Sequence, residues 1–270
     1  MSVGVFDSGL GGLTILNVFR TVLPDQSFVY FGDNQNTPYG EKQPGEVYDL
    51  TIAGVKKLFD LGFDLVILAC NTASAVDLHD LQVNWLQGER RVLGVFVPMI
   101  EDLTSRDWGD NTPPTHTGLH DVALFATPAT IASGAFAREL KFRARDVTVF
   151  GQACDGLVEA IEAADEDRIE DLVARHVGKV LERLPVPQSA VLGCTHYPLL
   201  EDVFRKYLPE ETRLISQPEI VAASLADYLK RHPRFTDQSG GVRHITTGNS
   251  STVSASAQKL MGLDVTFGPA

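Results

Sequence analysis

The chain has 270 residues, 44% hydrophobic and 21% charged, which is typical of one large globular domain or two smaller ones. Its formal net charge is −12 and its basic residues form no stripe, so we expect no nucleic-acid partner. No apolar run approaches the ~20 residues of a membrane span, the N-terminus lacks a signal-peptide pattern, and three cysteines make no disulfide framework. These features predict a reduced, soluble, cytoplasmic protein that does not associate with membranes.

Short apolar runs alternate with longer amphipathic stretches along the chain. The runs predict β-strands over 3–6, 27–32, 64–69, 92–97, 121–126, 146–150, 189–193, 213–215 and 243–246. The stretches predict helices over 12–22, 44–61, 74–86, 130–142, 155–163, 166–184, 199–207, 217–231 and 249–261. Such alternation predicts an α/β fold with mostly parallel sheets. Residues 105–120 are polar and contain two prolines, which predicts a surface insertion, with a lid as the alternative.

The two halves of the chain carry similar patterns. In the first half, one strand ends at Asp7-Ser8 and a later strand ends at Cys70. In the second half, one strand ends at Ala126-Thr127 and a later strand ends at Cys194. We therefore predict two similar doubly wound lobes with the active site between them. The first lobe would comprise residues 1–97 and 217–270, and the second lobe residues 98–216.

Cys70 and Cys194 occupy matched positions. Each ends an apolar run and precedes hydrogen-bonding residues, which are Asn71-Thr72 in the first case and Thr195-His196 in the second. The carboxyl end of a buried strand, where a helix begins, is where α/β folds present reactive groups. Two thiols at such positions predict an acid or base on each side of a substrate. The alternative is that each is a small, buried apolar residue.

Other strand ends carry polar residues. Asp7 precedes a glycine-rich turn and could act as a general base or orient one. Asp33 ends a predicted strand, and the tight turn 37–40 that follows could face a pocket, although a structural loop is the alternative. Cys154 follows a predicted strand, and we interpret it as a structural or supporting residue. The seven histidines form no zinc-binding pattern, so we expect no metal.

Four blocks of sequence, in this order, resemble the signature of the glutamate racemase family. They are Gly4–Gly12, Pro38–Gly40, Ala69–Ala75 and Leu192–Leu199. The resemblance implies a cofactor-independent 1,1-proton transfer on glutamate that supplies D-glutamate for peptidoglycan and the cell wall. The single blocks around the cysteines would indicate only the broader aspartate/glutamate racemase superfamily. A racemase of aspartate or another acidic amino acid, and a non-catalytic binding protein, therefore remain as alternatives.

The resemblance also implies roles for individual residues. Cys70 would take the Cα proton from D-glutamate and Cys194 from L-glutamate, while Asp7 assists the first thiol and His196 the second. Asp33 and Glu162 match acidic positions with an assisting role. The implied substrate-binding residues are Ser8, Pro38, Tyr39, Gly40, Asn71, Thr72, Thr127, Thr130 and Thr195. A homodimer is compatible with the resemblance.

The second lobe departs from the family pattern. Asp155 and Glu159 stand where the pattern has prolines, and Ala129 replaces a glycine. We expect the segment around Cys154 to differ from the family for this reason. These departures leave the dimer face and regulation open.

Overall fold

The computed structural model describes residues 2–106, 110, 112–237 and 239–270. Its strands form two sheets in which every neighbouring pair is parallel. The strands are β1 (Val3–Asp7), β2 (Phe28–Gly32), β3 (Leu65–Leu68), β4 (Arg91–Gly94), β5 (Asp121–Ala126), β6 (Thr148–Ala153), β7 (Ser189–Gly193), β8 (Arg213–Ile215), β9 (Val242–Thr246) and β10 (Phe267–Pro269). The first sheet has the order β10-β9-β2-β1-β3-β4 and the second β6-β5-β7-β8.

Helices connect successive strands and cover both faces of each sheet. They are α1 (Leu13–Val22), α2 (Pro44–Asp60), α3 (Asn71–Val76), α4 (Leu78–Asp80), α5 (Phe96–Thr104), α6 (Pro128–Ser133), α7 (Ala135–Lys141), α8 (Leu157–Ala163), α9 (Glu166–Leu181), α10 (Glu201–Tyr207), α11 (Pro218–Arg231) and α12 (Ser250–Met261). Short 3₁₀ segments lie at Tyr39–Glu41, Tyr197–Leu200 and Pro233–Phe235, and a π-helical turn at Leu81–Trp85. None of the described helices is long and apolar enough to cross a membrane.

Each sheet is buried on both faces, as parallel sheets require. Helices α1, α11 and α12 pack on one face of the first sheet, and α2 and α3 on the other. Helices α8, α9 and α10 pack on one face of the second sheet, and α5 and α7 on the other. The predicted α/β class, with two parallel-sheet lobes, is confirmed. The first sheet draws its strands from both ends of the chain, while the exact lobe boundaries stay a prediction.

The carboxyl ends of the two sheets face each other. Helix α3, which follows β3 in the first sheet, packs against α6 and α7, which follow β5 in the second. The 3₁₀ segment Tyr39–Glu41 also packs against α6. The ends of β1, β3, β5 and β7 therefore border a common space between the lobes.

Several predicted elements were wrong in part, including the strand predicted over 146–150, which runs from Thr148 to Ala153. The strand predicted over 92–97 ends at Gly94, and α5 begins at Phe96, because the apolar run continues from the strand into a buried helix. The helix predicted over 130–142 is divided at Gly134, whose φ of 62° interrupts the helical backbone. The helix predicted over 74–86 begins earlier, at Asn71, and is broken into α3, α4 and the π-helical turn.

The described part of the predicted insertion packs at the amino-terminal end of the second sheet. Residues 107–109 and 111 of this insertion lie outside the described residues. Arg106 is 9% exposed, and its side chain donates to the carbonyl oxygen of Arg143 at 3.0 Å. Thr115 pairs with the same stretch through its N–H, 3.2 Å from the Arg143 carbonyl oxygen. These contacts lie at the opposite end of β5 from the space between the lobes, so they give no support to a lid.

Candidate active site

A cleft of about 510 Å³, open to solvent, lies between the carboxyl ends of the two sheets. It brings together most of the residues that the sequence predicted for the site. Those lining it are Ser8, Pro38, Tyr39, Gly40, Cys70, Asn71, Thr72, Thr127, Cys194, Thr195 and His196. The other predicted residues, Asp7, Asp33, Thr130 and Glu162, do not line the cleft.

Cys70 stands directly before α3, on the first-lobe side of the cleft. Its side chain is buried, and its Sγ lies 3.4 Å from Oγ of Ser8, to which it donates. Burial and the charge of Asp7 raise the pKa of the Cys70 thiol to about 12, although hydrogen bonding with Ser8 and with the Ala73 N–H opposes the rise. Cys70 is therefore a thiol at neutral pH and needs a base to become a nucleophile or proton acceptor.

Asp7 supplies a carboxylate beside Cys70. It is fully buried, and its Oδ2 accepts a hydrogen bond from the Gly9 N–H at 2.9 Å. Its Oδ1 has no hydrogen-bond partner among the described residues. Burial raises the pKa of Asp7, while the nearby charge of His196 lowers it. A buried carboxylate with one unoccupied oxygen and a raised pKa is suited to exchanging a proton.

The second-lobe side of the cleft carries three side chains in a line, which are Cys194, His196 and Glu162. Sγ of Cys194 lies 4.0 Å from Nδ1 of His196, and Nε2 of that ring lies 3.2 Å from Oε1 of Glu162. Burial lowers the pKa of His196, but the neighbouring Cys194 and Glu162 outweigh it and raise the pKa to about 10. The ring therefore carries a proton at neutral pH and can stabilise or protonate a thiolate at Cys194.

The turn after β1 approaches the second lobe closely. A Cβ on Gly11 would lie 2.3 Å from Oγ1 of Thr195 and 2.7 Å from Nδ1 of His196. The Thr14 hydroxyl, in the first turn of α1, donates to the Thr195 carbonyl oxygen at 3.0 Å. Only glycine therefore fits at position 11, where the first-lobe backbone packs against the residues that follow Cys194.

Hydroxyl and amide groups face one another across the cleft. Oγ1 of Thr72 lies 3.0 Å from Oγ1 of Thr127 and 3.3 Å from Oγ1 of Thr130, so a first-lobe hydroxyl meets two from the second lobe. Asn71 is 2% exposed, and neither of its side-chain polar atoms has a hydrogen-bond partner among the described residues. Because buried amides are normally hydrogen-bonded, Asn71 is available to bind a polar ligand.

Asp33 lies behind the cleft and holds the turn that lines it. Its carboxylate accepts from the Tyr39 hydroxyl at 2.6 Å, from the Thr247 hydroxyl at 2.6 Å and from Nδ2 of Asn36 at 2.9 Å. The hydrogen bonds to Asp33 fix Tyr39 at the cleft wall, beside the cis peptide bond between Thr37 and Pro38. The carboxylate thus orients the turn and does not itself border the cleft.

A glutamate racemase from Jannaschia sp. (strain CCS1) is 54% identical to this chain over 267 residues, which cover 99% of this chain and 98% of the relative. The chain belongs to the glutamate racemase family. The family predicted from the four sequence blocks is thereby confirmed, and with it an amino-acid racemase, an isomerase. No protein-family model matches the chain.

Solved structures agree with this family. A glutamate racemase isoform from Bacillus anthracis superposes with a TM-score of 0.87 at 28% identity, covering 100% of this chain and 97% of the other. The Escherichia coli glutamate racemase, solved in complex with L-glutamate, gives a TM-score of 0.76 at 27% identity and covers 99% and 96% of the two chains. The two-lobe fold of this racemase is therefore the fold of its family.

Several residues that line the cleft of this racemase were missed in the sequence. They are Glu41, Pro128, Cys154, Gly156, Val158 and Glu159, whereas Thr37 belongs to the turn 37–40 that was predicted to face a pocket. Cys154 is 2% exposed and directly follows β6, so its position at a strand end was the signal that could have identified it. Glu41 and Glu159 approach from opposite lobes, and the charge of Glu159 raises the pKa of Glu41. Among the described residues, no group of three or more His, Cys, Asp or Glu side chains could hold a metal ion.

Proposed function

We propose that this protein interconverts L- and D-glutamate by a 1,1-proton transfer between Cys70 and Cys194, without a cofactor. The observation that carries the proposal is that both thiols line one cleft and come from opposite lobes. The two substrates are mirror images, so one group must remove the Cα proton and another must deliver a proton to the opposite face. A thiol on each side of the cleft meets this requirement.

In one direction, Asp7 accepts the thiol proton of Cys70, and the resulting thiolate removes the Cα proton of D-glutamate. The electron pair of the broken C–H bond remains on the substrate as a carbanion. The Cys194 thiol then gives its proton to the opposite face, and L-glutamate forms. His196, which Glu162 keeps protonated, stabilises the thiolate left on Cys194. In the reverse direction the thiols exchange roles.

The remaining polar groups of the cleft supply binding. The free amide of Asn71 and the hydroxyls of Thr72, Thr127 and Thr195 are suited to the substrate's ionised amino and carboxylate groups. Ser8, Pro38, Tyr39 and Gly40 form the wall beside Cys70, and Thr130 orients Thr127, with 2.9 Å between their hydroxyl oxygens. Substrate bound in this way presents Cα between the two thiols.

The test is a circular-dichroism assay of the purified protein with L-glutamate, D-glutamate, L-aspartate and D-aspartate. We expect the signal of either glutamate isomer to decay to zero and the aspartate signals to persist. Activity should survive a metal chelator, and the protein should show no absorbance band of bound pyridoxal phosphate. Racemisation of aspartate alone, or a requirement for either cofactor, would contradict the proposal.

We further propose that the D-glutamate supplies peptidoglycan synthesis in the cytoplasm. Membership of the glutamate racemase family supports this role. Expression of the protein should restore growth of a bacterial strain that requires D-glutamate, and failure of an expressed, folded protein to do so would argue against it. A homodimer stays a prediction, which sedimentation of the purified protein tests.

A further inference from the structure

Helix α9 buries a histidine at a position where its sequence pattern favours an apolar side chain. The buried positions of this helix recur three and four residues apart and form one face. They are Ile169, Leu172, Val173, His176, Val177 and Val180. His176 is 1% exposed, and a polar ring at such a depth is costly unless it is hydrogen-bonded. Its hydrogen-bond partners therefore indicate why the position holds a histidine.

Both ring nitrogens of His176 contact segment 152–156, which comprises the end of β6 and the connection to α8. Nε2 lies 3.3 Å from the carbonyl oxygen of Asp155, which can only accept, so Nε2 carries the proton. Nδ1 is then an acceptor, and Nε2 of Gln152 lies 3.2 Å from it. The same amide nitrogen donates to the Ala153 carbonyl oxygen at 2.6 Å. Burial lowers the pKa of His176, which favours this neutral form.

The segment that His176 holds carries part of the cleft. Cys154, between the two points of attachment, lines the cleft, as does Gly156. Helix α8 begins directly afterwards and bears Glu162, whose Oε1 lies 3.2 Å from Nε2 of His196. A displacement of this segment would therefore move both a wall of the cleft and the carboxylate behind His196.

The start of this segment is held by backbone hydrogen bonds, since Gln152 and Ala153 pair with β5 and the Cys154 N–H donates to the Ala126 carbonyl oxygen at 2.9 Å. Glycines stand at 151 and 156, the second with a φ of 76°, and no proline occurs between residues 129 and 184. Glycine permits many backbone conformations, whereas proline would fix one. The His176 hydrogen bonds add to this strand pairing on both sides of Cys154 and reach Asp155, which lies beyond the end of β6.

We propose that His176 is a positioning residue for the Cys194 half of the active site. It holds segment 152–156 so that Glu162 stays against His196 and Cys154 stays in the cleft wall. This inference rests on the two-thiol function proposed above. His176 does not line the cleft, so it acts only through the residues it holds.

The test compares His176→Leu, His176→Gln and Val180→Ala with the parent protein. Steady-state rates are measured for each glutamate isomer with hydrogen and with deuterium at Cα. The leucine fills the core but cannot form the hydrogen bonds, so we expect kcat to fall about tenfold with little change in KM. The isotope effect should rise mainly for L-glutamate, because Cys194 removes the proton of that isomer.

The two other variants serve as controls. Glutamine can donate to Asp155 and accept from Gln152, so His176→Gln should restore most of the rate and the parent isotope effects. Val180→Ala makes a core cavity one turn further along the same helix and removes no hydrogen bond to the segment, so it should lower stability but leave the isotope effects unchanged.

Parent-like rates in a folded His176→Leu protein, or equal rises in both isotope effects, would overturn the positioning role. If His176→Leu fails to fold, Gln152→Leu is used instead, because it removes the partner of Nδ1. This variant should show the same selective rise in the isotope effect for L-glutamate. If the isotope effect does not rise, the positioning role is overturned. The parent is assayed first, because absence of racemisation there would refute the proposed function itself.

Discussion

The two thiols of the cleft are supported by different chemical groups. Cys70 lies beside the Asp7 carboxylate, whereas Cys194 lies 4.0 Å from an imidazole that is itself held against Glu162. The overall reaction is symmetric for mirror-image substrates, but the two half-sites are not. Substitutions beside Cys70 and substitutions beside Cys194 should therefore change the pH–rate profile in different ways.

Glu162→Gln should change the pH dependence of kcat, because it alters the groups that support Cys194. The pKa of His196 is about 10, and Glu162 is one of the groups that raise it. Without that charge the imidazolium should lose its proton at a lower pH. We expect kcat to fall about tenfold near neutral pH and to decline further as pH rises towards 9. A pH–rate profile that matches the parent would contradict a role for Glu162.

The same substitution should have a pH-dependent effect on stability. Protonated His196 has a pKa of about 10 in the folded protein, against its ordinary value of 6.5. Its stabilising interaction is therefore fully present below pH 6.5 and is lost as pH rises through 10. In urea unfolding, the deficit of Glu162→Gln relative to the parent should be largest at pH 6 and small at pH 10.

At the scale of elements, strands were easier to predict than helix boundaries. Strands such as β1 and β7 are short apolar runs, and every residue in them is buried. Strand β10 was missed because its three residues include a proline and a glycine. The division of one predicted helix at Gly134 depends on a backbone angle that a helical pattern does not specify. Local pattern therefore predicted element type well and boundaries less well.

The glycine turn after β1 gives a prediction at this scale. A methyl group at Gly11 would overlap with Thr195 and His196, so Gly11→Ala must separate the lobes or displace these residues. We expect kcat/KM to fall about 100-fold, since small displacements near reacting groups have large effects. The matched control is Gly45→Ala in the first turn of α2, where an added Cβ meets no described atom within 4 Å. Similar activities for the two variants would contradict the close lobe contact.

The junction between α3 and α4 gives a second prediction. Asp77 is fully buried there and accepts from the Thr51 hydroxyl at 2.6 Å, and burial raises its pKa to about 7 from an ordinary 3.8. Stability from the neutral carboxyl is thus fully present below pH 3.8 and is lost as pH rises through 7.

Asp77→Asn removes the cost of ionising a buried carboxyl at high pH, and its amide oxygen still accepts from Thr51. Its free energy of unfolding should exceed that of the parent at pH 8, by at most about 1.4 kcal/mol for each unit of the pKa shift. The difference should vanish near pH 4. Denaturant unfolding at both pH values is the measurement, and a variant that is less stable at pH 8 would contradict the account.

For the whole molecule, the sequence predicted two lobes but not how their surfaces meet. Matched strand ends and the family blocks were sufficient to predict a cleft with a cysteine from each lobe. The hydrogen bond from Thr14 to Thr195 and the contact between Thr72 and Thr127 join residues far apart in the chain. No local pattern encodes such pairs, because they depend on how the completed lobes pack. The same holds for His176, whose partners lie in another element.

The central claim is that two groups on opposite faces of Cα transfer the proton. The most direct measurement is the position of deuterium during the first few per cent of reaction in D₂O, starting separately from L- and D-glutamate. We expect the product isomer to carry deuterium at Cα while the unreacted substrate keeps hydrogen, and Cys70→Ser and Cys194→Ser each to slow product formation by about 10³-fold. Deuterium entering the substrate as fast as the product, or full activity in either serine variant, would contradict the two-thiol account.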